Sequence, residues 1–191
     1  MQAYKFSELN DTAKQKALDK CREWQTDDNF WYQFVYDDAK EIGKIIGIDI
    51  DKIYFSGFWS QGDGACFEGH YEYAKGATKN VQQYAPMDTE LHAIAQALQN
   101  IQKANFYQLK ASVKHRGRYY HENCTDIDTY RNDGCELSRD AEEIVTECLK
   151  DFMRWIYSKL EKEYEWLTSD EYVAEMIELN DYEFDEDGNI I

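Results

Sequence analysis

Proline and long apolar runs are scarce in this sequence, and basic residues are few relative to acidic ones. Proline occurs once in 191 residues, at Pro86, so we expect no proline-rich linker between parts of the chain. No run of about 18 apolar residues is present, and we therefore predict no membrane-spanning helix. The first residues lack a basic stretch followed by an apolar one, so we also predict no signal peptide.

Basic residues are outnumbered by acidic ones. The chain has 21 Lys and Arg against 38 Asp and Glu, which gives a net charge of −17. Nucleic acids and anionic lipid surfaces are bound through Lys and Arg. The charge balance therefore argues against direct binding to nucleic acid or to a membrane, and it favours a protein partner with a basic surface.

The cysteines are odd in number and scattered. There are five, and they lack the paired spacing of a disulfide framework. A chain of this length buries about 70% of its unfolded surface, so its core does not depend on disulfides. We expect reduced thiols and a cytoplasmic location.

Aromatic residues, in contrast, are abundant: the chain has 5 Trp, 15 Tyr and 9 Phe. Disordered acidic chains are poor in aromatics, so this composition indicates a folded protein. The length fits one domain. We predict a single domain over residues 1–191, with the acidic C-terminal segment 161–191 docked on it.

Helical periodicity and capping residues predict five helices. The first has Asn10 as its N-cap, and the second ends at Gly47. The last begins at a capping box formed by Thr168 and Glu171 and fades near Asn180. The predicted helices cover residues 11–24, 29–46, 87–101, 138–167 and 168–180.

Two segments between these helices have the alternation of strands. Residues 53–73 form a predicted hairpin, because Gly62-Asp63-Gly64 separates two aromatic-rich runs. Residues 109–130 form a second hairpin with its turn near Arg116 and Gly117. The order of elements predicts an α+β fold in which a small antiparallel sheet of hairpins packs against helices.

Motifs for catalysis or for a metal are not found. Ser60 lies in a Gly-x-x-Ser-x-Gly run, which differs from the Gly-x-Ser-x-Gly nucleophile elbow. Cys66-x3-His70 and His121-x2-Cys124 are mixed pairs, whereas structural zinc sites usually repeat a paired spacing. We predict no catalytic residue, no metal and no cofactor, and we favour a protein that is not an enzyme.

The first hairpin contains small and polar residues where a core strand would prefer β-branched ones. We interpret them first as a structural hydrogen-bond network. The alternative is a pocket for a small ligand or nucleotide, or the site of a small enzyme, that uses the hairpin over residues 56–65. Its polar and aromatic groups would be Ser56, Trp59, Ser60, Gln61, Asp63 and His70.

The densest charge lies in the last 31 residues, where twelve acidic residues stand against one base, Lys162. Large apolar residues are interleaved with the acids, so the segment can be anchored on the domain while its carboxylates point outward. We interpret this face either as an aid to solubility or as a surface for a basic partner. The acids are Glu161, Glu163, Glu165, Asp170, Glu171, Glu175, Glu178, Asp181, Glu183, Asp185, Glu186 and Asp187.

A basic cluster surrounds the turn of the second hairpin. It consists of Lys110, Lys114, Arg116 and Arg118. One role for this cluster is contact with a phosphate. We expect it instead to balance acidic residues of its own chain or of a second copy, which leaves a homo-oligomer open.

Two stretches resemble a family of small acidic proteins from bacteriophages and prophages. One is Ile53-Tyr-Phe-Ser-Gly-Phe-Trp-Ser-Gln-Gly-Asp-Gly-Ala65. The other runs from Tyr164 to Ala174 and continues from Asn180 to Phe184. The resemblance implies a phage protein that acts in the cytoplasm of a bacterial host. By analogy with small acidic phage proteins, it implies a counter-defence role.

These observations lead to one principal hypothesis and two alternatives. The principal hypothesis is a non-enzymatic inhibitor that presents a DNA-like acidic surface to a host nucleic-acid-binding protein, such as a restriction–modification or CRISPR component. The first alternative is the ligand-binding hairpin. The second is a partner that neutralises a toxin.

Overall fold

The computed structural model describes residues 2–27 and 30–191. Six α-helices and six β-strands are found there, and the α+β fold predicted from the sequence is confirmed. In chain order the elements are β1 (Tyr4–Lys5), α1 (Asp11–Asp27), α2 (Gln33–Ile46), β2 (Ile48–Ser56), β3 (Gly64–Glu72), α3 (Ala77–Tyr84), α4 (Thr89–Ala104), β4 (Leu109–His115), β5 (Thr125–Arg131), α5 (Arg139–Leu167), α6 (Asp170–Leu179) and β6 (Glu183–Phe184).

The chain falls into two compact units. The larger unit contains residues 34–159. The smaller unit contains the residues up to 33 and those from 160 to the end. The last turns of α5, together with α1, α6 and the short strands β1 and β6, therefore belong to the smaller unit. The assignment of residues 1–191 to a single domain stays a prediction.

A four-stranded antiparallel sheet forms the larger unit's framework, in the order β2-β3-β4-β5. Both predicted hairpins are present within it, and β3 pairs with β4 between them. One face is apolar and buried, through Ile53, Phe67 and Val113 among others. The opposite face carries exposed charged residues, as the alternation of a half-buried sheet requires.

Helix α5 supplies much of the larger unit's core because its apolar residues recur at helical spacing. Val145, Leu149 and Phe152 are completely buried. The Phe152 ring meets the edge of the Phe67 ring of β3, with 6.1 Å between centroids. The broad apolar stripe of the sequence thus becomes the surface on which the sheet packs.

A buried amide joins α4 to the sheet. The Gln102 side chain donates to the Leu109 carbonyl at 2.7 Å and to the Tyr71 hydroxyl at 3.2 Å. It also accepts from the Leu109 amide at 3.2 Å. Because its donors and acceptor are paired, burial of this polar side chain costs little free energy.

Several sequence-based boundaries were wrong. Helix α2 begins at Gln33 rather than at Asn29, which lies outside the described residues, and Phe34 is exposed although its spacing placed it in the core. Helix α3 was not predicted.

The N-cap of α6 is Ser169 rather than the predicted Thr168. The Ser169 hydroxyl accepts from the Tyr172 amide at 3.2 Å. The Thr168 hydroxyl instead donates back to the Tyr164 carbonyl of α5.

Asp88 links the start of α4 to α5 in the larger unit. One carboxylate oxygen accepts from the Leu91 amide at 3.1 Å and caps α4. The other accepts from the Trp155 indole at 2.9 Å and pairs with Lys159 at 2.7 Å. Burial alone raises the pKa of Asp88, but hydrogen bonds from Lys159, Trp155 and Leu91 outweigh burial and leave this pKa below its usual value.

We predict that Asp88→Ala lowers the free energy of unfolding by about 2–3 kcal/mol, because it removes a helix cap and leaves the buried Trp155 N–H without an acceptor. Urea unfolding at pH 7 measures this loss. Glu90→Gln, at an exposed neighbouring position, is the control and should change stability by less than about 0.5 kcal/mol.

The contribution of Asp88 to stability should also decrease as the pH falls. Since folding lowers its pKa, the ionised carboxylate stabilises the protein above the unfolded pKa of about 3.9. The stability difference between wild type and Asp88→Asn should shrink as the pH falls below about 4. A difference that stayed constant from pH 7 to pH 3 would contradict this role.

Candidate functional site

Helix α6 is held on α1 by an apolar contact within the smaller unit. Val173 and Ile177, one helical turn apart, are buried in a cluster with Ala13, Ala17 and Cys21 of α1. The small residues of α1 let the two helix backbones approach closely. As a result, the acidic residues of α6 lie on its outer side, and this helix displays the acidic surface.

Arg22 braces the junction between α5 and α6. Its Nε donates to the Thr168 carbonyl at 2.7 Å, and its guanidinium pairs with Asp19 and with Asp170 at the start of α6. A guanidinium offers five donors in a fixed planar arrangement. It can therefore hold the carbonyl and both carboxylates at once, and this fixes where α6 begins.

The C-terminal turn is closed by Asp185. Its Oδ1 accepts from the amides of Asp187 at 3.0 Å and Asn189 at 2.8 Å. The hydrogen bonds from Asn189 lower the pKa of Asp185. Gly188, with φ of +80°, lies so close to α1 that a Cβ there would be 2.2 Å from the Ala13 carbonyl oxygen.

The strands β1 and β6 join the two ends of the chain. Tyr4 pairs with Phe184, and Lys5 pairs with Glu183 in the antiparallel register. The Lys5 ammonium also contacts the carboxylates of Asp181 at 2.9 Å and Glu183 at 3.1 Å. These contacts neutralise part of the acidic segment.

The twelve predicted acids therefore divide into acids with a partner, the half-buried Glu163, and acids without a partner in the described part of the chain. Asp170, Asp181, Glu183 and Asp185 are engaged in ion pairs or hydrogen bonds, and burial raises the pKa of Glu163. For the remaining acids, the described residues provide no side-chain hydrogen bond or ion pair. These are Glu161, Glu165, Glu171, Glu175, Glu178, Glu186 and Asp187, of which all but the half-buried Glu161 are exposed.

Charge is concentrated in the smaller unit. It contains 18 acidic and six basic residues, a net charge of −12 out of the chain's −17. The larger unit, with almost twice as many residues, has 20 acidic and 15 basic residues. The smaller unit therefore produces the stronger negative potential.

The six residues of the predicted ligand pocket are not gathered in one place. Trp59, Ser60, Gln61 and Asp63 lie in the connection between β2 and β3, and Ser56 ends β2. His70 is exposed on β3, six residues beyond Gly64, or about 20 Å along the strand. The structure brings the first five near each other but not His70.

The connection between β2 and β3 is a closed loop of seven residues rather than a tight two-residue turn. The Asp63 carboxylate accepts from the Ser60 amide at 2.8 Å, and the Asp63 amide donates to the Ser60 carbonyl at 3.1 Å. Among the described residues, the buried Ser56 hydroxyl has no hydrogen-bond partner. The pocket at this hairpin stays a prediction.

The link between β4 and β5 covers this hairpin, which the sequence pattern did not reveal. A Cβ on Gly62 would lie 2.6 Å from the Tyr119 ring, and one on Gly64 would lie 2.4 Å from the His121 Cβ. Tyr120 packs on Tyr54 of β2, with ring centroids 5.3 Å apart. The only sequence signal for this close approach is the glycines themselves.

All five cysteines are free thiols, of which Cys21, Cys66 and Cys148 are buried. Burial raises the pKa of both Cys66 and Cys148 to about 12, so both thiols are protonated at neutral pH. Among the described residues, no group of three or more His, Cys, Asp or Glu side chains could hold a metal ion. In that same part of the chain, no helix is long and apolar enough to cross a membrane.

The basic cluster around the second hairpin is partly neutralised by its own sheet. Lys110 pairs with Glu72 at 3.0 Å, and Arg116 pairs with Asp126 at 3.3 Å. Lys114 is exposed and lies opposite Asp126 in the register of β4 and β5. Two of the four bases, Lys110 and Arg116, therefore form ion pairs with acids of their own chain.

We predict that Gly188→Ala detaches the C-terminal turn from α1, because the new methyl group would overlap the Ala13 carbonyl. Gly117→Ala is a matched control: its φ is +88° and a Cβ there would meet nothing within 4 Å. Backbone strain should lower the free energy of unfolding of the control by about 1–2 kcal/mol. In Gly188→Ala the steric clash should lower it by about 1–3 kcal/mol more. Hydrogen exchange of the amides of residues 183–190 should accelerate only in Gly188→Ala. Equal effects of the two substitutions would contradict the docked turn.

Comparison with curated proteins gives no match, and neither does comparison with solved structures. A family model does match, over residues 31–170, and its family is described as a domain of unknown function, DUF8835. The match contains the whole larger unit and ends at the first residue of α6, so eight of the twelve acids lie beyond it. Since the matched region covers well over half of the chain, the protein belongs to the DUF8835 family.

Proposed function

We propose that this chain is a non-enzymatic binding protein whose smaller unit presents an acidic surface to a nucleic-acid-binding protein and blocks it. The observation that carries the proposal is the net charge of −12 on that unit. An apolar core holds the charge on a folded surface. A surface of this kind attracts proteins that carry a basic DNA-binding face.

The spacing of charges on α6 supports the proposal. Glu171, Glu175 and Glu178 are exposed and lie three and four residues apart, which places them along one side of the helix. At a rise of about 1.5 Å per residue they span about 10 Å. One DNA strand carries about three phosphates over that distance. The side of α6 thus approaches the linear charge density of a single strand.

Rigidity also favours this surface. Val173 and Ile177 are buried beneath the three glutamates, and the Arg22 contacts fix the start of the helix. A helix anchored in this way loses less conformational entropy on binding than a flexible acidic tail does. Preorganised carboxylates can therefore compete with the regularly spaced phosphates of DNA.

The resemblance to phage and prophage proteins suggests where the partner is found. We propose the cytoplasm of a bacterial host, with a restriction–modification or CRISPR component as the bound protein. This part of the proposal rests on the sequence motifs at residues 53–65 and 164–184. The charge distribution alone supports only the wider class of proteins with a basic, nucleic-acid-binding face.

The test is a pull-down from bacterial lysate with two variants of equal charge change. Glu171→Gln/Glu175→Gln/Glu178→Gln neutralises α6. The matched control, Glu90→Gln/Glu136→Gln/Glu142→Gln, neutralises three exposed glutamates of the larger unit that make no ion pair within the described part of the chain. We predict that wild type and control retain a DNA-binding protein at 50 mM salt. The α6 variant should retain at least tenfold less of that protein than wild type does.

Binding should also weaken as salt rises, because it depends on charges near the surface. Recovery of no nucleic-acid-binding protein would contradict the proposal. Recovery that is equal for both variants, or that is unchanged between 50 and 500 mM salt, would contradict it as well.

A further inference from the structure

An exposed aromatic pair lies at the junction between α5 and α6. Trp166, in the last turn of α5, is 48% exposed. Its ring centroid lies 5.6 Å from that of Tyr172 in the first turn of α6. The Ser169 hydroxyl, in the loop between them, donates to the Trp166 carbonyl at 2.7 Å. That hydrogen bond fixes the backbone at the end of α5, and the Tyr172 ring packs against the indole. Nearly half of Trp166 nevertheless faces solvent.

The surroundings of this pair are strongly acidic. Glu165 and Glu171 are exposed and adjoin the two aromatic residues in the sequence. Glu175 lies one helical turn beyond Tyr172, so it shares a side of α6 with that ring. The nearest base in the sequence is Lys162, one turn before Trp166. An apolar surface inside a negative field is complementary to a cation with a flat, weakly hydrated face.

The same junction already binds one guanidinium of its own chain. Arg22 donates to the Thr168 carbonyl and pairs with Asp170, both of which lie between Trp166 and Tyr172 in the sequence. This geometry demonstrates that carbonyl and carboxylate oxygens here are arranged for planar donors. The aromatic pair and Glu171 are left to receive a second cation.

We propose that the Trp166–Tyr172 pair is the arginine-binding platform of the acidic surface and selects partners that present arginine rather than lysine. The inference rests on the function proposed above and names the chemistry of the partner. Guanidinium groups stack on aromatic rings and are more weakly hydrated than ammonium groups. Carboxylates alone would attract both cations, whereas the aromatic pair adds a preference for arginine.

Two labelled peptides of equal charge test this inference. One is nona-lysine, and the other is the same peptide with its three central lysines replaced by arginine. Fluorescence anisotropy gives their dissociation constants with the full-length chain at 50 mM salt. We expect wild type to bind the arginine peptide about two- to fivefold more tightly, the range of an exposed cation–π contact.

The variants separate the platform from general charge. Trp166→Ala should abolish the preference and bind both peptides as wild type binds nona-lysine, and Trp166→Phe should retain part of the preference. Trp24→Ala is the matched control, because Trp24 belongs to the same unit, is also 48% exposed and contacts a tyrosine, Tyr182. It should keep the full preference. Far-UV circular dichroism checks that each variant is folded.

The outcomes distinguish this inference from the proposed function. If wild type binds both peptides equally, or if Trp166→Ala keeps the arginine preference, the platform is overturned while salt-dependent binding still supports the acidic surface. If wild type binds neither peptide at 50 mM salt, both proposals are overturned. A preference that disappears in Trp24→Ala as well as in Trp166→Ala would also overturn the platform.

Discussion

The apolar contact between α1 and α6 is the constraint on which the acidic surface depends. The smaller unit carries a net charge of −12, and like charges at this density repel one another. Burial of side chains such as Val173, Ile177 and Phe184 opposes this repulsion, at about 1.5–3 kcal/mol for each fully buried residue. The core therefore holds together a group of carboxylates that would otherwise favour an extended chain.

The position of each acid follows from this contact. Where the chain packs against α1, carboxylates bind groups of the smaller unit itself: Asp170 pairs with Arg22, and Asp185 closes the C-terminal turn. Where α6 faces outward, Glu171, Glu175 and Glu178 remain exposed. The same segment thus contains structural acids and acids that are open to a partner. Only the second group contributes to the proposed binding surface.

Much of the fold was predictable because its signals are local. The apolar stripe of α5, the Asn10 cap of α1 and the alternation in β4 all describe contacts set by nearby residues, and the structure contains each of them. Helix α3 was missed because its eight residues bury only Ala77 and Val81, too few to establish a period. Adjacent Thr168 and Ser169 can both cap a helix, and the hydrogen bond to Tyr164 decides between them.

The arrangement of the site was less predictable. The acids were visible in the sequence, but the bases that neutralise some of them come from far away: Arg22 is 148 residues from Asp170, and Lys5 is 176 residues from Asp181. The grouping of Trp166 with Tyr172 depends on the angle between α5 and α6. His70 was assigned to the hairpin pocket by its proximity in the sequence, and the length of β3 separates it from the loop.

Competition with DNA tests the central claim most directly. With a DNA-binding protein captured by the chain, the dissociation constant of that protein for duplex DNA is measured at increasing concentrations of the chain. If the acidic surface occupies the DNA site, the apparent dissociation constant should rise in proportion to the concentration of wild type, and far less with Glu171→Gln/Glu175→Gln/Glu178→Gln. Formation of a ternary complex in which DNA affinity is unchanged would contradict the account.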